Sequence, residues 1–225
     1  MKRQTFFILL ACSSFILILS LLLVTSRSTD QKSTKDTTEM SEVSSEDAEE
    51  DIIKISYDGE QFPIAETPDV SESVQQYEEQ IEKHAASHEV EDYSNLIMAL
   101  MMQESQGKGE DPMQASESLC GETGCIDEPS QSIEQGVYYF SEVLKQANDD
   151  VKLALQSYNF GNGFIDYVKE NGGSYTKKLA IRYSQKMFTN LKASGNYACR
   201  TPEEAELNAC YGDFNYVGEI LKYFE

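Results

Sequence analysis

Basic residues are scarce in this chain of 225 residues, in which 18 Lys and Arg stand against 39 Asp and Glu, for a formal net charge of -21. A polyanion of this kind repels phosphate and offers few cations for counterion release, which argues against nucleic acid as a partner. Histidine is also rare, with two residues, His84 and His88. The sequence has no Walker-type phosphate loop. We therefore expect neither a metal nor an organic cofactor.

An apolar run, Phe6–Val24, follows two basic residues at the N-terminus. Its length is about what a helix needs to cross a bilayer, and the flanking charges place the short N-terminus in the cytoplasm. We expect residues 1–27 to form a single-pass membrane anchor. The alternatives are a cleaved signal peptide, with Thr25–Ser26 near the cleavage region, and a lipid-modified Cys12. All three place the rest of the chain outside the cytoplasm.

Four cysteines lie in the second half of the chain: Cys120, Cys125, Cys199 and Cys210. An even number in an oxidising compartment predicts disulfides. Three pairings are possible, and the local pairs Cys120–Cys125 and Cys199–Cys210 are favoured because each brackets a loop rich in Gly, Pro or Asn. A zinc site is the alternative, although no histidine accompanies these cysteines.

Residues 28–67 consist mostly of Ser, Thr, Asp and Glu, as in Ser41–Asp51. Such a segment buries too little apolar surface to offset the entropy lost on ordering, so we expect a disordered acidic linker that holds a domain off the membrane. Within it, Ile52–Tyr57 alternates weakly and is compatible with a transient strand.

From residue 68 to residue 225, apolar residues recur mainly at helical spacing, and few stretches alternate with the period of a strand. Asp92–Glu104 is too densely apolar for a surface helix, so we expect a central buried helix there. The fold class predicted for residues 68–225 is therefore mainly α, a single domain behind the N-terminal membrane helix.

Glu104 ends this apolar helix just before the glycine-rich segment Gly107–Gly109. Its stem should lie in the core and its carboxyl near a cleft, where desolvation raises a carboxyl pKa and suits a general acid near neutral pH. The alternative is an ordinary surface glutamate at a helix end.

Three segments, in this order along the chain, resemble motifs of the lytic transglycosylase and goose-type lysozyme superfamily. Met101–Ser105 resembles its helix-ending Glu-Ser motif, Asp111–Gln114 its Gly-Leu-Met-Gln segment, and Ala154–Gly163 its Ala-Tyr-Asn-Ala-Gly segment. Here Asp-Pro replaces Gly-Leu, and Phe160 stands where a small alanine is usual. The resemblance implies a lysozyme-like fold, while these departures leave the shape of the cleft open.

Two segments, Asp111–Ser118 and Tyr211–Val217, are more closely similar to the muramidase domain of bifunctional cell-wall hydrolases on conjugative elements of Gram-positive bacteria. This resemblance covers residue 68 to the C-terminus. It implies peptidoglycan as the substrate. A conjugation, secretion or wall-remodelling complex is a further partner compatible with an anchored domain.

The resemblance implies a role for each matching residue. Glu104 matches the catalytic acid that protonates the glycosidic oxygen between N-acetylmuramic acid and N-acetylglucosamine. Tyr158 matches the tyrosine whose hydroxyl approaches that carboxyl, with a core aromatic residue as the alternative. The residues matching the substrate-binding positions are Ser105, Met113, Gln114, Tyr158 and Asn159. Ser105 is equally compatible with a hydroxyl that bonds to backbone. For Met113, packing beneath the site is favoured over contact with sugar.

The reaction itself has two forms. Glycoside hydrolases normally use two carboxyls, whereas the resemblance implies that lytic transglycosylases use one and release 1,6-anhydro ends. No motif identifies a second carboxyl, although Asp111, Glu117, Glu122 and Asp127 lie in flanking loops. We favour a muramidase, with a transglycosylase as the alternative. A non-catalytic wall-binding or surface-interaction protein on the same scaffold is the rival from another class.

Overall fold

The computed structural model describes residues 53–195 and 197–225 of the chain. The predicted membrane helix at residues 1–27 and most of the predicted linker lie outside these ranges. Within them, no helix combines the length and the apolar character that crossing a membrane requires.

The described residues are mainly α-helical, as predicted. A two-stranded sheet comes first, with β1 at Lys54–Tyr57 and β2 at Glu60–Pro63. The helices that follow are α1 (Glu72–Gln75), α2 (Glu78–Ser87), α3 (Ser94–Ser105), α4 (Ser116–Cys120), α5 (Pro129–Gln146), α6 (Val151–Phe160), α7 (Gly163–Glu170), α8 (Lys177–Leu191), α9 (Pro202–Leu207) and α10 (Tyr216–Leu221). Single 3-10 turns occupy Glu91–Tyr93, Lys192–Ser194 and Lys222–Phe224.

The hairpin of β1 and β2 corrects the prediction that the linker reaches residue 67. The two strands pair antiparallel, with Ile55 opposite Phe62, around an Asp-Gly turn that has positive φ at both residues. Ile55, Phe62 and Ile64 are buried in the same core as the helices. These three apolar side chains are enough to order a stretch whose average composition is polar, so residues 53–67 belong to the folded structure.

Helix α3 runs through the centre of the core. Six consecutive residues, Leu96–Met101, are buried, which confirms the predicted central helix. It packs against α2 on one side and α10 on another, while α5 packs against α2 and α6. Helix α6 begins at Val151, and the carboxylate of Asp150 caps it by accepting from the Leu153 N–H at 3.1 Å.

Both predicted disulfides are present, Cys120–Cys125 and Cys199–Cys210. The first closes the loop after α4, and the second ties the start of α9 to the segment before α10. Because all four thiols are paired, the alternative of a zinc site at these cysteines is wrong.

Candidate active site

The end of α3 places Glu104 at the edge of the core. The helix stops at Gln106, which adopts a left-handed conformation with φ 61°. Gly107 follows with φ 74°, and a Cβ there would lie 2.4 Å from the Ser73 carbonyl oxygen, so only glycine fits. The chain therefore turns away sharply after Ser105, and the carboxyl of Glu104 is left partly exposed at the last turn of a buried helix.

Ser105 fastens this turn to the next loop. Its hydroxyl donates to the Pro112 carbonyl at 2.7 Å and accepts from the backbone N–H groups of Gly107 and Lys108 at 3.1 and 3.2 Å. These bonds to backbone match the structural alternative for Ser105, and they draw the loop that follows Asp111 against the end of α3.

The hydrogen-bond partner of Glu104 is Tyr216, at the start of α10. Its hydroxyl donates to Glu104 Oε1, and its ring is 2% exposed. Sequence reasoning gave Tyr216 no role, although it belongs to the segment Tyr211–Val217 that carried the closer resemblance. The contact follows from the packing of α10 on α3.

The environment of Glu104 raises its pKa to about 7 from an ordinary 4.5. Burial is the main cause, because it penalises the charged carboxylate. The hydrogen bond from Tyr216 opposes this by favouring the anion, and the negative charges of Asp111 and Asp213 add to the increase. The carboxyl thus holds its proton near neutral pH, which is the state a general acid needs.

The resemblance implies that the Tyr158 hydroxyl approaches the Glu104 carboxyl, and in the structure this hydroxyl bonds to Met113. The hydroxyl donates to the Met113 carbonyl at 2.9 Å, and the ring of Tyr158 is 8% exposed. Burial raises the pKa of Tyr158 well above its usual range, and the charge of Glu104 adds to this. Tyr158 is therefore close enough for the charge of Glu104 to act on it, while Tyr216 makes the hydrogen bond to that carboxyl.

Met113 is fully buried, which matches the expectation that it packs beneath the site. It packs against Gly136 of α5, where a Cβ would lie 2.5 Å from the Met113 Cβ. Its N–H donates to the Ser132 hydroxyl at 2.9 Å. These contacts hold the neighbouring Gln114, which is exposed with φ 49°, at the rim of a cleft.

This cleft, with a volume of about 220 Å³, brings together three of the predicted residues, Gln114, Tyr158 and Asn159. Its other lining residues are Glu117, Ser118, Tyr139, Phe160, Gly161 and Tyr211. Glu104 does not line the cleft itself, but its charge acts on Tyr158, which does. Aromatic rings beside polar groups suit the amphipathic faces of a sugar.

A larger cavity of about 580 Å³ lies at the C-terminal ends of α2 and α5, with His88, Tyr93 and Asp149 among its lining residues. None of the residues predicted from sequence lines it. The candidate site is therefore the smaller cleft, which three of the predicted residues line.

Asn159 faces the cleft and also holds the segment before α10. Its Oδ1 accepts from the Asp213 N–H at 2.7 Å. Phe160, the bulky residue where alanine was expected, is 2% exposed and packs against Phe164, Tyr183 and Tyr211. The larger side chain thus serves mainly as core.

Both carboxylate oxygens of Asp111, a predicted candidate for a second carboxyl, accept hydrogen bonds from neighbouring residues. Its oxygens accept from the backbone N–H groups of Ala115 and Ser116 at 2.9 and 3.0 Å, and from the hydroxyls of Ser116 and Ser132 at 2.7 and 2.6 Å. Burial alone would raise the pKa of Asp111, but these hydrogen bonds outweigh it and lower the pKa. Asp111 is therefore a fixed anion that shapes the loop.

The described part of the chain holds no group of three or more His, Cys, Asp or Glu side chains arranged to bind a metal ion. The site thus combines a carboxyl with a raised pKa, a tyrosine hydroxyl that donates to it and a polar, aromatic cleft. A carboxyl of this kind can donate a proton near neutral pH.

A family model described as Lysozyme-like matches residues 71–224. The bifunctional muramidase/DL-endopeptidase CwlT of Bacillus subtilis (strain 168) is 42% identical over 158 residues, covering 70% of this chain and 44% of CwlT. YocA of the same strain, described as an uncharacterized membrane protein, is 36% identical over 163 residues, covering 71% of this chain and 72% of YocA.

A solved structure from Staphylococcus aureus subsp. aureus Mu50, described as similar to a lipoprotein of the NLP/P60 family, aligns with a TM-score of 0.59 and 36% identity. The alignment covers 69% of this chain and 54% of that one. This chain thus spans less than half the length of CwlT and about half of the solved protein.

Proposed function

This chain belongs to the lysozyme-like family, and from that premise we propose that it cleaves the glycan strands of peptidoglycan. The bond is the β-1,4 linkage between N-acetylmuramic acid and N-acetylglucosamine, and Glu104 is the catalytic acid. The similarity to a protein named as a muramidase supports the substrate class.

The observation that carries the proposal is the carboxyl of Glu104, whose pKa is raised to about 7 by burial at the end of α3. A glycosidic oxygen is a poor leaving group until it is protonated, so an acid that keeps its proton at neutral pH lowers the barrier to cleavage. A protein that only binds the wall has no need of a glutamate that stays protonated at neutral pH. The desolvation of Glu104 therefore favours an enzyme over a wall-binding protein on the same scaffold.

Binding uses the cleft that Gln114, Tyr158 and Asn159 line. Gln114 and Asn159 offer amide groups toward the bound sugar, and Tyr139 and Tyr211 offer ring faces. The Gln114 amide is held by a 2.7 Å bond to the Asp111 carbonyl. Its oxygen is then oriented to accept from an acetamido N–H of the glycan.

Hydrolysis is the form of the reaction that we favour, with a lytic transglycosylase as the alternative. Its support is the muramidase activity named for the similar CwlT. A transglycosylase needs no second carboxyl, because the 6-hydroxyl of the muramic acid attacks its own C1 and leaves an anhydro end.

The proposed location is the cell-wall side of the membrane, with residues 1–27 as a single-pass anchor. The membrane protein YocA and the lipoprotein-like solved structure are consistent with this placement. Two disulfides within the domain suit an oxidising compartment outside the cytoplasm. A conjugation, secretion or wall-remodelling complex is compatible with such an anchored enzyme.

The test is digestion of purified peptidoglycan by the full chain and by Glu104→Gln, followed by mass spectrometry of the released fragments. We expect the wild type to release muramic acid ends that are reducing, and the variant to release none above background while keeping the wild-type circular dichroism spectrum. A variant as active as the wild type would show that the acid is misassigned.

A further inference from the structure

We propose that a second hollow, beside the cleft, binds the stem peptide of the glycan strand and favours stems whose diamino acid keeps a free amine. This side hollow has a volume of about 390 Å³ and is lined by His88, Leu119, Gln131, Glu134, Gln135 and Tyr138. Its size falls in the range of about 300–1,000 Å³ that small ligands occupy. The inference rests on the proposed glycan cleavage and adds the part of the substrate that projects from the sugar chain.

The side hollow shares a wall with the cleft. Gln135, which lines the hollow, donates from Nε2 to the hydroxyl of Ser118, which lines the cleft, at 3.1 Å. Leu119 of the hollow follows Ser118 on α4, and Tyr138 of the hollow precedes the cleft residue Tyr139 on α5. One layer of side chains therefore separates the two spaces at this point. A few extended peptide residues, at about 3.3 Å each, cross such a distance.

The wall of the side hollow carries apolar surface that the fold leaves uncovered. Leu119 is 44% exposed and Tyr138 is 43% exposed, and among the described residues these are the two large apolar side chains that stand exposed. Both line this one hollow. The Tyr138 ring lies against His88, with 5.4 Å between the ring centroids. A ligand that covers these groups removes apolar surface from water, which favours its binding.

Glu134 gives the side hollow a negative charge. Its side chain is exposed on α5, and no described Lys or Arg forms an ion pair with it. Burial lowers the pKa of the nearby His84, and the charge of Glu134 opposes this without reversing it. His84 is therefore uncharged at neutral pH and does not neutralise the carboxylate. The side hollow thus suits a ligand that combines apolar groups with a cationic amine.

A stem peptide has this chemistry. It is bonded to the lactyl group of muramic acid, so a strand in the cleft carries stem peptides along its length. The alanine methyl groups of the stem can cover Leu119 and Tyr138, while the amine of its diamino acid can pair with the Glu134 carboxylate. Cross-linking converts that amine into an uncharged amide. The side hollow therefore favours strands that are not cross-linked over strands that are.

The test compares three substrates prepared from one lysine-type peptidoglycan without cross-links. These are intact strands, strands whose lysine amines are acetylated, and strands stripped of their stem peptides by an amidase. With the full chain we expect kcat/KM to fall about 2–5-fold on acetylation, the range of an exposed ion pair. Removal of the whole stem should lower it about tenfold, because the apolar contacts are lost as well.

Three variants assign these effects to the side hollow. Glu134→Gln should cut intact and acetylated strands at the same rate. Leu119→Gln and Tyr138→Gln, which keep good helix formers, should lower kcat/KM on intact strands about threefold and leave it unchanged on stripped strands. Glu170→Gln is the matched control, since it removes the same charge at an exposed position on α7, a helix that contributes no residue to the hollow. It should keep the wild-type preference.

Stripped strands separate this inference from the proposed function. A wild type that cuts stripped and intact strands equally well would overturn the inference and leave the glycan cleavage standing. The inference would also be overturned by a Glu134→Gln protein that still prefers free amines, or by variants that lose activity on stripped and intact strands in the same proportion. A folded wild type that cleaves none of the three substrates would instead refute the proposed function itself.

Discussion

Replacing Glu104 by Gln should make the protein more stable at alkaline pH while abolishing its activity. The folded state keeps the Glu104 proton up to about pH 7, whereas the unfolded chain releases it near 4.5. The folded state therefore binds the extra proton between these values, and the stability of the wild type falls as the pH rises from about 4.5 to 7. Above about pH 7 the wild type has lost this whole contribution to its stability.

The size of the effect follows from the pKa. The difference between 4.5 and 7 corresponds to about 3 kcal/mol at about 1.36 kcal/mol per unit. Because the side chain is partly exposed, solvent screening reduces this to about 2 kcal/mol. For a domain of this size that is an increase in Tm of about 4–8 °C. Glutamine keeps an oxygen that accepts from Tyr216, so the hydrogen bond survives.

The assay is thermal unfolding of wild type and Glu104→Gln at pH 5 and pH 8.5, with Glu110→Gln, at an exposed position, as the control. We expect the Glu104 variant to gain stability at pH 8.5 and to gain less than about 1 kcal/mol at pH 5. The control should change little at either pH. An equal Tm for Glu104→Gln and wild type at pH 8.5 would refute the buried, high-pKa carboxyl.

Three further predictions concern the residues around the acid. Tyr216→Phe removes the hydrogen bond that favours the Glu104 anion, so the alkaline limb of the pH–rate profile should move up by about one pH unit; an unmoved limb would contradict this. Gly136→Ala should lower stability by about 1–3 kcal/mol in thermal unfolding, because the clash with Met113 exceeds the gain of about 1 kcal/mol in helix propensity; a stabilised variant would contradict it. Removing the Cys199–Cys210 disulfide by serine substitution should cost about 3 kcal/mol in denaturant titration, and an unchanged midpoint would count against that.

Local patterns predicted much of the fold. The dense apolar run Leu96–Met101 has no solvent-facing stripe, so it could only be a buried helix, and the glycine segment after it marks where Glu104 ends that helix. Both disulfides join cysteines close in sequence.

Contacts between residues far apart in the chain could not be predicted from local sequence patterns. Tyr216 reaches Glu104 across 112 residues, a contact that exists because α10 packs on α3 and that no local spacing encodes. The same holds for Asp213, whose position depends on two side chains of α6.

The stable hairpin at residues 54–63 was not predicted for a different reason, although a transient strand was expected at Ile52–Tyr57. The acidic composition of the surrounding segment outweighed two signals, the Asp58-Gly59 turn and the alternating Ile55 and Tyr57. A composition average describes a whole segment, whereas a few buried side chains decide whether part of it folds.

The protonation of Glu104 is the claim on which the account depends, and carboxyl NMR measures it directly. With ¹³C-labelled glutamate, the account predicts one side-chain carboxyl resonance that titrates near pH 7 and is missing from the spectrum of Glu104→Gln. A spectrum in which the resonance lost on substitution titrates near 4.5 would contradict it.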